Sequence, residues 1–94
     1  MKTIYELAND LERHLNGIVD AQFIREQYGN TDNSDISALM CSIEHFLSDS
    51  DIRAKDINYR KMQEEEMTKL IKLLRSDRIN DAKRISFLRK SKAV

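Results

Sequence analysis

The chain has 94 residues, 40% of them hydrophobic and 34% charged, with 16 bases balanced by 16 acids, one cysteine, two glycines and no proline. That length gives one small core, since such a chain buries little more than about 60% of its extended surface, and the regular spacing of its apolar residues excludes a disordered tail. No window approaches the ~20 apolar residues that cross a bilayer, Glu6 and Asp10 interrupt the start before a leader's apolar core can form, and Cys41 alone cannot close an internal disulfide, so a cytoplasmic protein held together by packing is expected.

The first predicted helix opens at Thr3, where Thr3 and Glu6 have the spacing of a capping box. Ile4, Leu7, Leu11, Leu15 and Ile18 then recur three and four apart, and Gly17 can take the left-handed conformation that stops a helix. A shorter second helix is expected from Asp20, burying Phe23, Ile24 or Tyr28 and ending at Gly29. The run NTDNSD, residues 30–35, is rich in side chains that bond their own backbone and reads as a turn. A third helix follows with Ile36, Leu39, Met40, Ile43, Phe46 and Leu47 on one side.

The fourth and longest helix is predicted from about Asp56, its cap, to Arg75, with Tyr59, Met62, Met67, Leu70, Ile71, Leu73 and Leu74 inward. Ser76-Asp77 would cap a fifth, marked by Ile79, Ala82, Ile85 and Leu88, before a frayed tail at 90–94. No strand-like alternation, glycine-rich phosphate loop or repeat appears. The expectation is a single all-α domain over residues 1–94, a small bundle of about five helices with short loops.

Charge is distributed unevenly along the chain. Residues 1–51 contain ten acids and three bases, whereas residues 52–94 contain thirteen bases and six acids, with the positive excess concentrated after Met67. Such blocks can attract each other inside a fold, or each can steer a different partner.

The aspartate-rich joint between the third and fourth helices invites a metal reading. Counted from Asp49, an EF-hand loop meets Asp49 and Asp51 at positions 1 and 3, then fails with Arg53 at 5, Ala54 at 6 and Arg60 at 12. Counted from Thr31 it fails with Ile36 and Ser42. Cys41 and His45, four apart, lack an oriented imidazole and an oxyanion pocket, and with His14 they supply too few ligands for zinc. No catalytic residue, metal or cofactor is assigned, and no enzyme is expected.

Two binding readings remain. A basic C-terminal third offers Lys83, Arg84, Arg89 and Lys90 to phosphates, as in a small regulator or phage-borne adaptor that binds nucleic acid or a nucleic-acid-handling complex. Alternatively, the acidic first half captures a basic protein. Its candidate contacts are Asp32 and Asp35 in the loop, Glu44 on the third helix, Asp49 and Asp51 at its end, and Tyr28 as an aromatic anchor or a core residue.

The segments "IEHFLSDSDIRAKDINYRKMQ" and "LIKLLRSDRINDAKRISFL" resemble the second halves of small all-helical immunity proteins that accompany bacteriocins and contact-dependent growth-inhibition toxins. The likeness is one of architecture: short helices, an aspartate-rich joint, a charged amphipathic helix and a short terminal helix. It implies a noncatalytic protein that neutralises a cognate toxin, commonly a nuclease, by tight binding in the producing cell's cytoplasm. It brings no assigned site residues with it. Oligomeric state is not legible from these features.

Overall fold

The computed structural model describes residues 3–87, and every regular element among them is a helix. Helix α1 (Ile4–Leu15) starts with the capping box: the Glu6 N–H donates to Thr3 Oγ1 at 3.1 Å and the Thr3 N–H to Glu6 Oε1 at 3.3 Å. Leu7, Ala8 and Leu11 are fully buried, with Ile4 and Leu15 packed partly against them. At the other end Gly17 adopts φ +76°, and the Ile18 N–H reaches back to the Arg13 carbonyl at 2.9 Å. This turn takes Ile18 off the stripe. It is 64% exposed, which corrects its placement on the inner face.

Helix α2 (Ala21–Tyr28) is capped by Asp20, which accepts from the Phe23 N–H at 2.8 Å, and it buries Ile24 and Tyr28. Gly29 ends it without a left-handed φ. Glycine is required there because a Cβ would lie 2.5 Å from the Arg25 carbonyl oxygen. Helix α3 (Ser34–Ser48) begins on Asn33, whose side chain accepts from the N–H groups of Asp35 and Ile36, and all six of its predicted inner residues are buried.

The joint after α3 is not a loop. Ser50–Lys55 forms a further short helix, α4, so the described residues contain six helices where about five were expected. Nothing in the run breaks a helix, and the N–H groups of Arg53 and Asp56 find the carbonyls of Asp49 and Ile52 at 3.0 and 2.9 Å. No residue of α4 is buried. Helix α5 (Ile57–Arg75) is capped by Asp56, which accepts from the Tyr59 N–H at 3.1 Å. It buries Tyr59, Gln63, Met67, Leu70, Ile71 and Leu74.

Ser76-Asp77 closes α5 and does not cap the next helix. Asp77 sits in the left-handed region at φ +59°, the Arg78 N–H donates to the Leu73 carbonyl at 2.9 Å, and the Asp77 N–H to that of Leu74 at 3.3 Å. Helix α6 is consequently a single turn, Ile79–Ala82, with no side-chain cap at Arg78. Its predicted inner residue Leu88, and the tail at 90–94, lie outside the described residues. Phe87 is fully buried and Ile85 partly so.

One core joins α1, α2, α3, α5, α6 and Phe87, with α1 lying chiefly along α5. No helix of the described residues is long and apolar enough to cross a membrane. The Tyr5 hydroxyl donates to the Asp77 carboxylate, tying the start of α1 to the end of α5. Asp77→Ala therefore forfeits both a residue type tolerant of positive φ and this bond. A loss of about 1–2 kcal/mol is expected in urea unfolding, against less than half of that for Asp77→Gly, which keeps the backbone conformation accessible.

Candidate functional site

The acids picked out from the sequence divide into two groups. Asp35 receives Lys83 Nζ at 2.7 Å, and Glu44 receives Arg25 Nη2 at 2.7 Å and the Ser48 hydroxyl at 3.2 Å. The hydrogen bond from the Arg25 guanidinium holds the Glu44 carboxyl below the usual carboxylate range. Asp49 points inward, accepting from the Tyr59 hydroxyl at 2.6 Å and Gln63 Nε2 at 2.9 Å. These three are committed to the fold. By contrast Asp32 and Asp51 are exposed, and neither carboxylate accepts a hydrogen bond or closes an ion pair among the described residues, although the charge of Asp51 acts on the Arg53 guanidinium.

Tyr28 belongs to the core. It is 0% exposed and its hydroxyl donates to Asp10 Oδ2 at 2.5 Å, so it is corrected from possible interface anchor to buried strut between α2 and α1. Burial, and then the Asp10 carboxylate beside it, push the phenol far above its ordinary value. Arg13 Nη1 donates to the other oxygen of Asp10 at 3.1 Å, which leaves this buried carboxylate paired on both sides.

The two charge blocks meet within the molecule. Besides Lys83 on Asp35, Arg75 Nη1 lies 2.7 Å from Glu12 Oε2 and Arg75 Nη2 donates to Asn9 at 3.0 Å, across the groove between α1 and α5. The guanidinium lowers the Glu12 carboxyl. Further along, Arg78 binds Asp81 at 2.7 Å, Arg84 approaches the same residue at 3.9 Å, and Lys69 pairs with Glu66 at 3.4 Å. Of the basic set proposed for phosphates, Lys83 is therefore engaged and Arg84 loosely so. Arg89 and Lys90 lie outside the described residues.

Sequence reasoning missed a polar cluster beneath α4. The Arg53 guanidinium stacks 3.8 Å over the Phe46 ring, donates to the Phe46 carbonyl, and donates to Gln63 Oε1 at 2.6 Å. Gln63, 0% exposed, turns its amide nitrogen to Asp49 Oδ2, the Tyr59 oxygen and the Phe87 carbonyl, each at 2.9 Å. Two amide protons are thus shared among three acceptors. Every buried side-chain nitrogen and oxygen among the described residues has a partner. Desolvation lowers the Arg53 pKa, opposed chiefly by Asp49.

Gln63 could have been suspected, because it lies four residues from both Tyr59 and Met67 on the inner stripe of α5. Arg53 carried no such signal. The cluster contains neither a nucleophile with a base nor an open ligand position, and its role is to clamp the end of α3, α4, α5 and Phe87 together. Elsewhere Cys41 is exposed with its thiol toward the Ser37 carbonyl at 3.7 Å, and no group of three or more potential metal ligands occurs among the described residues.

The surface left for chemistry with another molecule is that of a helical body on which the exposed carboxylates of Asp32 and Asp51 accept no hydrogen bond from the described residues, the second of them on a clamped, solvated short helix. No family model, curated protein or solved structure matches the chain.

Proposed function

We propose that the protein is a noncatalytic immunity protein that binds and neutralises a cognate basic toxin, of the nuclease class, in the cytoplasm. The observation that carries this reading is the pair of exposed, uncommitted carboxylates Asp32 and Asp51 in a half-chain of ten acids and three bases. A nuclease surface is cationic because its substrate is a polyanion. Carboxylates that occupy that surface compete with phosphate, and long-range attraction speeds the encounter. Most of the other acids are engaged as caps or in hydrogen bonds and ion pairs and lend the surface their field, whereas Asp32 and Asp51 can exchange water for a partner's lysine or arginine without breaking a hydrogen bond of the described residues.

The test is coexpression with the protein encoded directly upstream. The wild-type chain is expected to protect the cell and to form a complex with that protein. The double reversal Asp32→Lys, Asp51→Lys is expected to abolish protection and to weaken the complex at least tenfold, mostly through slower association at low salt. Circular dichroism should be unchanged, since neither carboxylate accepts a hydrogen bond from the described residues. Reversal of Lys83 and Arg84 should leave capture intact. A correctly folded double reversal that still captures the partner at full strength would sink the acidic-face reading.

A further inference from the structure

Helices α1 and α5 lie against each other, and between their second halves a groove of about 280 Å³ stays open. Its floor is apolar: Ile71 is buried, and Leu15 packs partly against the core. Its walls are polar. Arg75 is held there by Glu12 and Asn9, so guanidinium and carboxylate cancel. Thr68 spends its hydroxyl proton on the Glu64 carbonyl of its own helix at 2.9 Å. Two exposed donors are left, the Lys72 ammonium on α5 and the Asn16 carboxamide at the C-cap of α1. Neither side chain makes a hydrogen bond or ion pair among the described residues. The surroundings do not neutralise Lys72. Nearer the start of α5, Arg60, Lys61 and Lys69 stand against Glu64, Glu65 and Glu66, and on α1 Arg13 is matched by Asp10. The groove therefore carries one uncompensated positive charge beside an apolar floor.

We propose that this groove is a binding site for a monocarboxylate with a short branched aliphatic chain, supplied either as a free acid or as the C-terminal leucine or valine of a peptide. The aliphatic part lies on Leu15 and Ile71. Lys72 meets one carboxylate oxygen through a charge-assisted hydrogen bond, and the Asn16 amide N–H donates to the other. A single excess charge balances a monoanion, whereas a dianion such as phosphate brings a second negative charge beside Glu12. The volume sits at the lower end of the roughly 300–1,000 Å³ of ligand clefts, which limits the occupant to a few heavy atoms. The site shares no residue with Asp32 or Asp51, so its failure leaves the toxin-binding reading untouched.

The test follows amide NMR shifts of the isotope-labelled full chain during titration. The probes are isocaproate, its neutral amide, acetate, and acetyl-glycyl-leucine with a free or an amidated C-terminus. Saturable shifts are expected at Leu15, Asn16, Ile71 and Lys72. Acetate should bind about tenfold or more weakly than isocaproate, because it lacks the chain that covers the floor. Each amide should bind about fivefold or more weakly than its carboxylate, because it lacks the charge. Lys72→Gln, an exposed change, should weaken both carboxylates about fivefold or more, whereas Lys61→Gln on the same helix should stay within about twofold of wild type. Tighter binding of isocaproate assigns the site to a free acid and tighter binding of the dipeptide to a protein C-terminus, and either result supports it. No saturable shift with either carboxylate up to about 20 mM overturns the proposal, as does equal weakening by Lys61→Gln and Lys72→Gln.

Discussion

Gln63→Leu should destabilise the protein by roughly 3–5 kcal/mol, a large part of the about 5–15 kcal/mol that holds a domain of this size together. Leucine fills nearly the same volume, so the loss is not one of packing. It comes from stranding four groups at once: the Asp49 carboxylate loses one of its two donors, Arg53 loses a carboxamide acceptor at 2.6 Å, and the Tyr59 hydroxyl and Phe87 carbonyl each lose a bond. Breaking one member of a buried charged cluster leaves its partners desolvated and uncompensated. Thermal and urea unfolding read the effect directly, and Glu65→Leu, on the exposed side of the same helix, should stay within about 0.5 kcal/mol. The double variant Arg53→Met, Gln63→Leu should cost less than the sum of the single changes, because removing both partners removes the stranded charge. A Gln63→Leu protein that unfolds at the wild-type urea concentration would show that the cluster contributes nothing.

The second large effect appears at high pH. Tyr28 keeps its proton in the folded state far beyond the range in which an exposed phenol releases it, because it is buried and bonded to Asp10. In the unfolded chain it titrates at about 10. Below that value both states hold the proton and the contribution to stability is complete. Above it the unfolded chain binds fewer protons than the folded one, so stability falls as pH rises, by about 1.4 kcal/mol per pH unit from this residue alone. Urea unfolding between pH 8 and 11.5 should therefore lose about 2 kcal/mol that Tyr28→Phe does not lose. At neutral pH Tyr28→Phe should cost about 1–2 kcal/mol, since Asp10 then has only Arg13. Parallel stability curves for the two proteins would refute the assignment.

The helices that could be read from the sequence are those whose signals are local. Thr3 with Glu6, Gly17, Asn33 and Asp56 act within three or four residues of themselves, and the stripe from Ile36 to Leu47 needs only its own periodicity. Helix α4 escaped because it has no stripe: six residues with none buried give no period to detect. Ser76-Asp77 was misread because the same residue types suit a cap before a helix and a left-handed turn after one, and only the bonds to Leu73 and Leu74 distinguish them. The acids of the candidate site failed for a different reason. Asp35 is neutralised by Lys83, 48 residues on, and Glu44 by Arg25, 19 residues back, so which carboxylates remain for a partner is a property of the tertiary structure. The charge blocks were visible in the chain, and their partial mutual cancellation was not.

The way α4 is attached also bears on how the protein can change. Its anchorage lies in Arg53 together with Asp49 and Gln63, whereas Ile52, Ala54 and Lys55 on the same six-residue helix are exposed, as is Asp51, whose charge acts on Arg53. Exposed positions of that kind usually tolerate replacement within about 0.5 kcal/mol. The side chains of Ile52, Ala54 and Lys55, with Ile57, can therefore be exchanged for others with little loss of stability. On this helix, freedom to vary and structural constraint fall on different residues.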